Sequence, residues 1–207
     1  RAGTVRLEMD RAGSGWQARL ALQSSGPVSL LYRVDDLYQA EMNGDYCALA
    51  SLMKAHEGSR QRETRVTYDS ARGKASYLER DLKRDAEVAS HEIDIPPCVH
   101  DVVGGLYQLR RLRIETGKSA AIPVSDGKKS VMARVEAQRV ETVDTPAGRY
   151  RAVRYEVFLF NNVLYRRNGR LYVWLTDDDR RLPVQIRARM QLHIGTITLQ
   201  LEKVEAT

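Results

Sequence analysis

The sequence contains no long hydrophobic run: no apolar stretch approaches the roughly 18 residues that a membrane-spanning helix requires. It also shows no secretory signal peptide. The chain begins at Arg1, without Met, inside a strand-like alternation of Val5, Leu7 and Met9, so we expect a processed or trimmed product. The missing signal therefore does not argue for a cytosolic protein.

Catalytic and cofactor motifs are missing as well. No HExxH or HxH pair, no GxSxG nucleophile elbow and no glycine-rich phosphate loop occurs. The acidic run Asp177–Asp179 lacks the spacing and the glycine of a calcium loop, which favours a solvated hairpin tip. We expect the histidines on the surface or on strand faces; they are His56, His91, His100 and His193. We therefore predict no cofactor and no metal, and a non-enzymatic protein is favoured.

One polar cluster leaves an enzymatic alternative open. His91, Glu92, Asp94, His100 and Asp101 crowd together around the start of a predicted helix. A carboxylate can orient an imidazole for proton transfer, so such a group could serve a hydrolase. This hypothesis requires that the side chains converge in space.

Neither sign of charge dominates strongly. The chain has 33 Lys and Arg against 27 Asp and Glu, a net charge of +6, with the two signs interspersed. Its densest basic patches, Arg110–Arg113 and Tyr165–Arg170, are not accompanied by any motif with base-reading geometry, so nucleic acid is not an expected partner. A composition of 43% hydrophobic and 29% charged residues suits a thin, curved sheet with one solvent-facing side.

Cysteine is scarce, with Cys47 and Cys98 alone. The residues themselves leave two interpretations open: two buried thiols, or one disulfide that closes a loop of about 50 residues. A zinc site is disfavoured because the only histidine at ligand spacing from either cysteine is His100.

The N-terminal half consists of strand-like segments joined by turns. Val28–Met42 alternates in part and ends at Asn43–Gly44, a strong hairpin dipeptide, and Tyr46–His56 is its expected partner strand. Arg62–Tyr68 and Ala75–Leu82 form a second, polar hairpin, which we place at an edge of the sheet.

One segment changes to helical spacing. Apolar residues recur at intervals of three and four, which predicts a helix over about residues 99–113, after Pro96–Pro97. Asp101 or a neighbour is expected to cap its start. Gly104–Gly105 weakens a helix, so we expect another backbone to approach closely there.

The C-terminal half has the most regular strand pattern. Its strand-like segments are Ser119–Val124, Ser130–Val143, Tyr150–Phe160, Leu171–Leu175, Val184–Leu192 and Thr196–Val204. Short turns between them predict an antiparallel meander. A sheet of so many twisted strands tends to curl. We therefore predict a mainly-β fold, a curved antiparallel meander forming a barrel or half-barrel around one short α-helix, as a single domain over residues 1–207.

Aromatic side chains could line a cavity in such a barrel, although aromatic residues on strands more commonly form plain core. The candidates are Trp16, Tyr32, Tyr38, Tyr107, Tyr155, Tyr165, Tyr172 and Trp174.

Four blocks resemble a known family. The run Leu171–Val184, the segment Asp101–Arg110, the turn Thr145–Gly148 and the closing Gly195–Leu199 resemble blocks of the bacterial domain-of-unknown-function family 3108. The N-terminal third matches only loosely, in its strand-turn rhythm and in Cys47. None of the blocks is a catalytic motif.

The resemblance implies an exported protein of the Gram-negative envelope, periplasmic or associated with the outer membrane, and broadly similar to periplasmic lipoprotein carriers. The biochemical role of the family is unassigned, so no functional residues carry over. An oxidising compartment favours a Cys47–Cys98 disulfide over two thiols. The family's motif residues in this sequence are expected to be structural: Asp101, Tyr107, Arg110, Trp174, Asp178 and Pro183. Trp174 would pack, Asp178 would start a turn and Pro183 would open the next strand.

Three hypotheses follow for the function. The leading one is a non-enzymatic envelope protein that binds an apolar or amphipathic, lipid-like ligand or a partner protein. The second is an assembly protein that pairs through exposed strand edges. The third is a hydrolase acting on an envelope polymer.

Overall fold

The computed structural model describes residues 2–190 and 195–205 and confirms the mainly-β prediction. Two antiparallel sheets contain most of the described residues. The chain divides into two compact units, Arg1–Gln108 with Pro123–Ser130, and Leu109–Ile122 with Val131–Thr207. The single domain over residues 1–207 stays a prediction. No helix in the described ranges has the length and apolar character needed to span a membrane.

The first unit contains a seven-stranded sheet in which every strand pairs antiparallel with its neighbour in sequence. The strands are β1 (Gly3–Ala12), β2 (Gly15–Ser24), β3 (Asp35–Met42), β4 (Ala48–Glu57), β5 (Arg60–Asp69), β6 (Lys74–Asp81) and β7 (Ala86–Asp94). The predicted Asn43 turn joins β3 to β4, because Oδ1 of Asn43 accepts hydrogen bonds from the backbone N–H groups of Asp45 and Cys47 at 2.9 and 3.0 Å.

Two strand predictions in this unit are wrong. The segment predicted as one strand over Val28–Met42 begins instead as a short helix, α1 (Pro27–Leu31), and β3 starts only at Asp35. Proline suits the first position of a helix, where its missing N–H is not needed. The hairpin of β5 and β6 is not at an edge either, because β7 pairs with β6; the edges of this sheet are β1 and β7.

The predicted helix is α2 (Val102–Arg111), which starts later than residue 99. The residues just before α2 are not helical. Cys98 forms a disulfide with Cys47, and the backbone N–H of His100 donates to the carbonyl of Pro123 at 2.9 Å. The close approach predicted at the glycine pair is present, since a Cβ on Gly104 would lie 2.7 Å from the carbonyl oxygen of Tyr46.

The six-stranded sheet has the order β13-β12-β11-β10-β9-β8. The strands are β8 (Ser119–Ser125), β9 (Ser130–Thr145), β10 (Gly148–Val157), β11 (Gly169–Thr176), β12 (Pro183–Met190) and β13 (Thr196–Gln200). The end of the predicted strand Val184–Leu192 lies outside the described residues. In the second unit, Ala137, Tyr155 and Val173 follow one another in register and are fully or almost fully buried, so they mark the core face of the sheet.

Candidate functional site

One face of the seven-stranded sheet changes from apolar to charged between β1 and β6. The strand register aligns its side chains in two neighbouring cross-strand rows. We call this surface the graded face. Its residues are Val5, Leu7, Leu20, Leu22, Asp36, Tyr38, Met53, Ala55, Arg62, Thr64, Glu79 and Asp81. Since side chains alternate between the two sides of a strand, the pattern is set by every second residue.

The apolar end of the graded face is only half buried. Helix α2 places Val103 in a buried cluster with Ala18, Ala40 and Met42, in the rows next to the graded face. Leu7, Leu20 and Tyr38 pack against the border of that cluster. Val5, Leu22 and Met53 are half-buried and lie outside it. The helix therefore covers one end of the apolar surface and leaves apolar side chains on β1, β2 and β4 partly exposed.

Arg62 stands at the charged end of the graded face. Its Nη1 lies 3.0 Å from Oδ2 of Asp81, and its Nε lies 3.9 Å from Oε1 of Glu79. Both nitrogens are buried, yet neither makes a hydrogen bond of acceptable geometry. A buried donor without an acceptor is uncommon in native proteins, because the lost hydration costs free energy. Asp81 is the close counter-charge of Arg62, and the two buried nitrogens lack a well-aligned acceptor.

Glu79 is a buried carboxylate held by three donors. The Tyr77 hydroxyl donates to its Oε2 at 2.7 Å, Lys128 Nζ lies 3.3 Å from the same oxygen, and Arg60 Nη2 lies 3.2 Å from Oε1. Burial raises the pKa of Glu79, but the Tyr77 hydrogen bond and the charge of Lys128 outweigh it and lower the pKa below its usual value. Glu79 is therefore an ionised, structural carboxylate.

Asp36 interrupts the apolar part of the graded face. Its side chain is 7% exposed, and its Oδ1 accepts the backbone N–H of His56 at 2.9 Å. Burial raises its pKa above the usual value, although the hydrogen bond from His56 opposes the rise. The carboxylate thus secures the backbone of β4 beside the apolar surface.

Tyr38 connects the graded face to the start of α2. Its hydroxyl donates to Oδ2 of Asp101 at 2.7 Å, while Oδ1 of Asp101 accepts the backbone N–H of Gly104 at 2.5 Å. Asp101 is therefore the N-cap of the helix. Burial raises the pKa of Asp101 against the lowering effect of these two hydrogen bonds, and burial followed by the Asp101 charge raises the pKa of Tyr38 well above its usual value.

The acid–base cluster proposed from the sequence does not come together. His91 stacks on Tyr77 with ring centroids 4.7 Å apart, and Asp94 pairs with Lys74 at the surface. His100 is buried, and its Nδ1 lies 2.7 Å from the carbonyl oxygen of Tyr46. Lys74 contacts both Asp94 and Glu92 at the surface, whereas His100 and Asp101 lie at the start of α2, so the five groups do not converge on one site as the hydrolase hypothesis requires.

The remaining candidate ligands do not assemble either. Within residues 2–190 and 195–205, no group of three or more His, Cys, Asp or Glu side chains could hold a metal ion. Glu92 pairs with Arg72 at the surface. His56 is exposed on β4, and His193 lies outside the described residues.

The expected structural residues lie at turns, strand ends and packed positions. Trp174 is buried on β11, and its Nε1 donates to Oε1 of Glu141 at 2.6 Å. Asp178 accepts the Thr176 hydroxyl at 2.5 Å and the backbone N–H of Arg181 at 3.1 Å, so it holds the turn after β11. Pro183 is the first residue of β12.

Two motif residues lie on α2. Tyr107 packs against the buried Val103 cluster, and its ring centroid lies 5.4 Å from that of Tyr46. Arg110 donates from Nε to the carbonyl of Arg181 at 2.9 Å. Arg62, Glu79 and Arg181 were not predicted from the sequence. For Arg62 and Glu79, a polar side chain at a core-facing strand position was the available signal.

Residues 1–202 match the sequence profile of a family described as "Protein of unknown function (DUF3108)", which confirms the resemblance seen in the sequence. The chain is also similar to the crystal structure of a beta-barrel-like protein of domain of unknown function DUF1849 from Brucella abortus. That likeness has a TM-score of 0.54 and 10% identity, over 91% of this chain and 82% of the other.

A DUF1089 family protein from Pseudomonas aeruginosa has a TM-score of 0.47 and 15% identity, over 89% of this chain and 88% of the other. No curated protein matches the sequence. At the identity of the Brucella protein, similarity concerns the fold alone.

Proposed function

The chain belongs to the DUF3108 family, and we propose that it is a non-enzymatic binding protein of the bacterial envelope that holds an amphipathic, lipid-like molecule on the graded face. The observation that carries the proposal is the apolar area on β1–β4 that α2 leaves half-exposed and that continues into the charged strip on β5 and β6. An amphipathic ligand likewise has an apolar tail at one end and a polar head group at the other.

The apolar end supports an acyl chain as the buried part of the ligand. Leu20 of β2, Tyr38 of β3 and Met53 of β4 follow one another in register across strands that are roughly 4.8 Å apart, with Leu22 beside Leu20 on β2. Each Å² of this apolar surface that a ligand removes from water contributes roughly 25 cal/mol to the binding free energy. Met53 adapts its shape readily, as methionine does at surfaces that accept flexible chains.

The charged end supports a polar or acidic head group. Arg62 has two donors without a well-aligned acceptor, and its side chain is 22% exposed, so the oxygen of a head group can approach the guanidinium. The carboxylates of Asp81 and Glu79 already balance part of the positive charge of Arg62 and Arg60. The head group of the ligand therefore carries at most one negative charge. The ligand class is therefore a fatty-acid-like or monoacyl molecule.

Export to the periplasm is part of the proposal. The Cys47–Cys98 disulfide supports it, since stable disulfides belong to oxidising compartments. A carrier of lipid-like molecules in that compartment would shield an acyl chain from water.

The test is a titration with the fluorescent fatty acid cis-parinaric acid and with its methyl ester. We expect saturable binding to the natural protein. Met53→Lys should abolish it, because the ammonium group would stand in the apolar area. Leu52→Lys is the matched control, since Leu52 is the neighbouring half-buried residue of β4 with its side chain on the opposite face. Circular dichroism confirms that both variants fold.

Arg62→Gln tests the head-group assignment. It should weaken binding of the free acid several-fold and leave binding of the methyl ester nearly unchanged. Absence of saturable binding by the natural protein, or equal binding by Met53→Lys and Leu52→Lys, would exclude the graded face as a lipid site.

A further inference from the structure

We propose that β13 is an interface through which two copies of this chain pair as an antiparallel dimer centred on Thr198. The interface is a strand edge of the six-stranded sheet and is independent of the graded face. All five residues of β13 are exposed, and the strand contains no charged residue and no proline.

The other sheet edges carry the usual protection against pairing. β1 has charged residues at alternate positions, including Arg6, Glu8 and Asp10. β7 has three acidic residues and a register shift opposite Glu79 and Arg80. β8 contains Pro123, and the bridge between His100 and Val124 occupies its outer side. Charges, bulges and proline all discourage edge pairing, and in the described part of the chain β13 has none of them. Among the described residues beyond β12, contacts reach only its C-terminal end, where Gln200 Nε2 donates to the carbonyl of Asp144 and the backbone N–H of Ala147 donates to the carbonyl of Leu201.

The hydrogen-bond pattern leaves the outer edge of β13 available. The carbonyl of Gly195 accepts from Met190, and the N–H of Leu201 donates to Val184, so the odd-numbered residues direct their backbone groups to β12. Alternation along an antiparallel strand then directs the backbone groups of Thr196, Thr198 and Gln200 away from β12.

The side chains of β13 are self-complementary about Thr198. In an antiparallel pair with Thr198 opposite Thr198, Ile197 faces Leu199 of the second copy, and Thr196 faces Gln200. The three outward-facing residues of each copy would then exchange six backbone hydrogen bonds. No pair places like charges opposite each other, and the apolar pair has the closer, non-hydrogen-bonded spacing that favours side-chain contact.

The apolar core face of the sheet also has exposed side chains at this edge. Leu199 follows Ile186, Val173 and Tyr155 in register, and exposure rises from 0% at Tyr155 and 4% at Val173 to 36% at Leu199. Ile197, on the same face, is 47% exposed. A second copy would continue this face, since its own Ile197 and Leu199 would cover these two side chains. A two-fold axis generates both contacts at once.

The experiment is sedimentation velocity over a range of protein concentrations. We expect a dimer for the natural chain. Thr198→Pro should give a monomer, because it removes a central N–H donor of the interface and none that bonds to β12. Ile197→Lys should also give a monomer by placing a charge at the apolar pair. Val88→Lys is the matched control, since Val88 is equally exposed, at 47%, on the edge strand β7; it should remain dimeric.

Amide hydrogen exchange provides a second measurement that does not depend on variants. In the dimer, the N–H groups of Thr196, Thr198 and Gln200 should be protected, and their protection should fall on dilution. A natural chain that stays monomeric at every concentration would overturn the proposal. So would a dimer that persists in both Thr198→Pro and Ile197→Lys.

Discussion

Arg110 and Arg181 each donate a hydrogen bond to the other's backbone carbonyl. Nε of Arg181 lies 2.8 Å from the oxygen of Arg110, and Nε of Arg110 lies 2.9 Å from the oxygen of Arg181. Arg181 also reaches the carbonyl of Leu112 at 2.8 Å and the Tyr155 hydroxyl at 2.9 Å. The last carbonyls of a helix have no partner within it and carry partial negative charge. A buried guanidinium thus caps the C-terminus of α2.

Arg181→Met should lower the free energy of unfolding by about 3 kcal/mol, because charged hydrogen bonds are lost and buried carbonyls are left without donors. Arg180→Met is the matched control: Arg180 is exposed and contacts Asp178 at the surface, so its loss should change little. Urea denaturation at neutral pH measures both. Equal effects of the two substitutions would show that the capping contacts are not what stabilises α2.

Removal of the Cys47–Cys98 disulfide should destabilise the protein. The bridge spans 51 residues, and the loop-entropy relation gives a loss of about 4 kcal/mol for the double substitution to alanine. Chemical denaturation with and without reductant measures the loss. Alkylation and mass spectrometry of protein recovered from its native cells should find no free thiol; two alkylated cysteines would contradict the proposed compartment.

Asp101→Ala should cost about 1 kcal/mol from loss of the helix cap, with a further 1–3 kcal/mol, roughly, from the unpaired Tyr38 hydroxyl. Asp101→Asn retains a side chain that caps helices well, so it should cost much less. Thermal denaturation of the two variants and of Tyr38→Phe separates the cap from the tyrosine contact. The cap interpretation is wrong if alanine and asparagine are equivalent at this position.

Asp101 and Glu79 should affect the pH dependence of stability in opposite directions. Burial raises the pKa of Asp101 above 3.8, so the folded state binds that proton more tightly, and its contribution declines as pH rises through the raised pKa. The pKa of Glu79 is lowered from 4.5, so its contribution is present above that value and declines as pH falls through the lowered pKa.

The measurement compares unfolding free energies of the natural chain, Asp101→Asn and Glu79→Gln between acidic and neutral pH. The advantage of the natural chain over Glu79→Gln should shrink on acidification. Relative to Asp101→Asn, the natural chain should instead gain on acidification. Parallel curves for all three proteins would contradict both assignments.

Much of the strand order could be predicted because its signals are local. Asn43–Gly44 predicts a tight turn through the backbone preferences of those two residues, and β9 to β11 show alternation with short turns between them. The apolar spacing over about residues 99–113 predicts a helix for the same reason, and the helix is Val102–Arg111. The strand prediction was wrong between Pro27 and Asp35 because the alternation there is only partial. The chain forms a short helix from Pro27 instead.

The sequence by itself determined the mainly-β architecture, the approximate position of α2 and a cap at Asp101 or a neighbour, since alternation, helical spacing and turn residues act over a few positions. Only the tertiary structure decided that β7 pairs with the edge of β6, that Arg62 and Glu79 lie together on the graded face and that Arg181 caps α2. These features depend on which distant segments pair, and the register of that pairing arises from packing over the whole sheet. Residues such as Arg110 and Arg181, 71 positions apart, meet only after the strands have assembled.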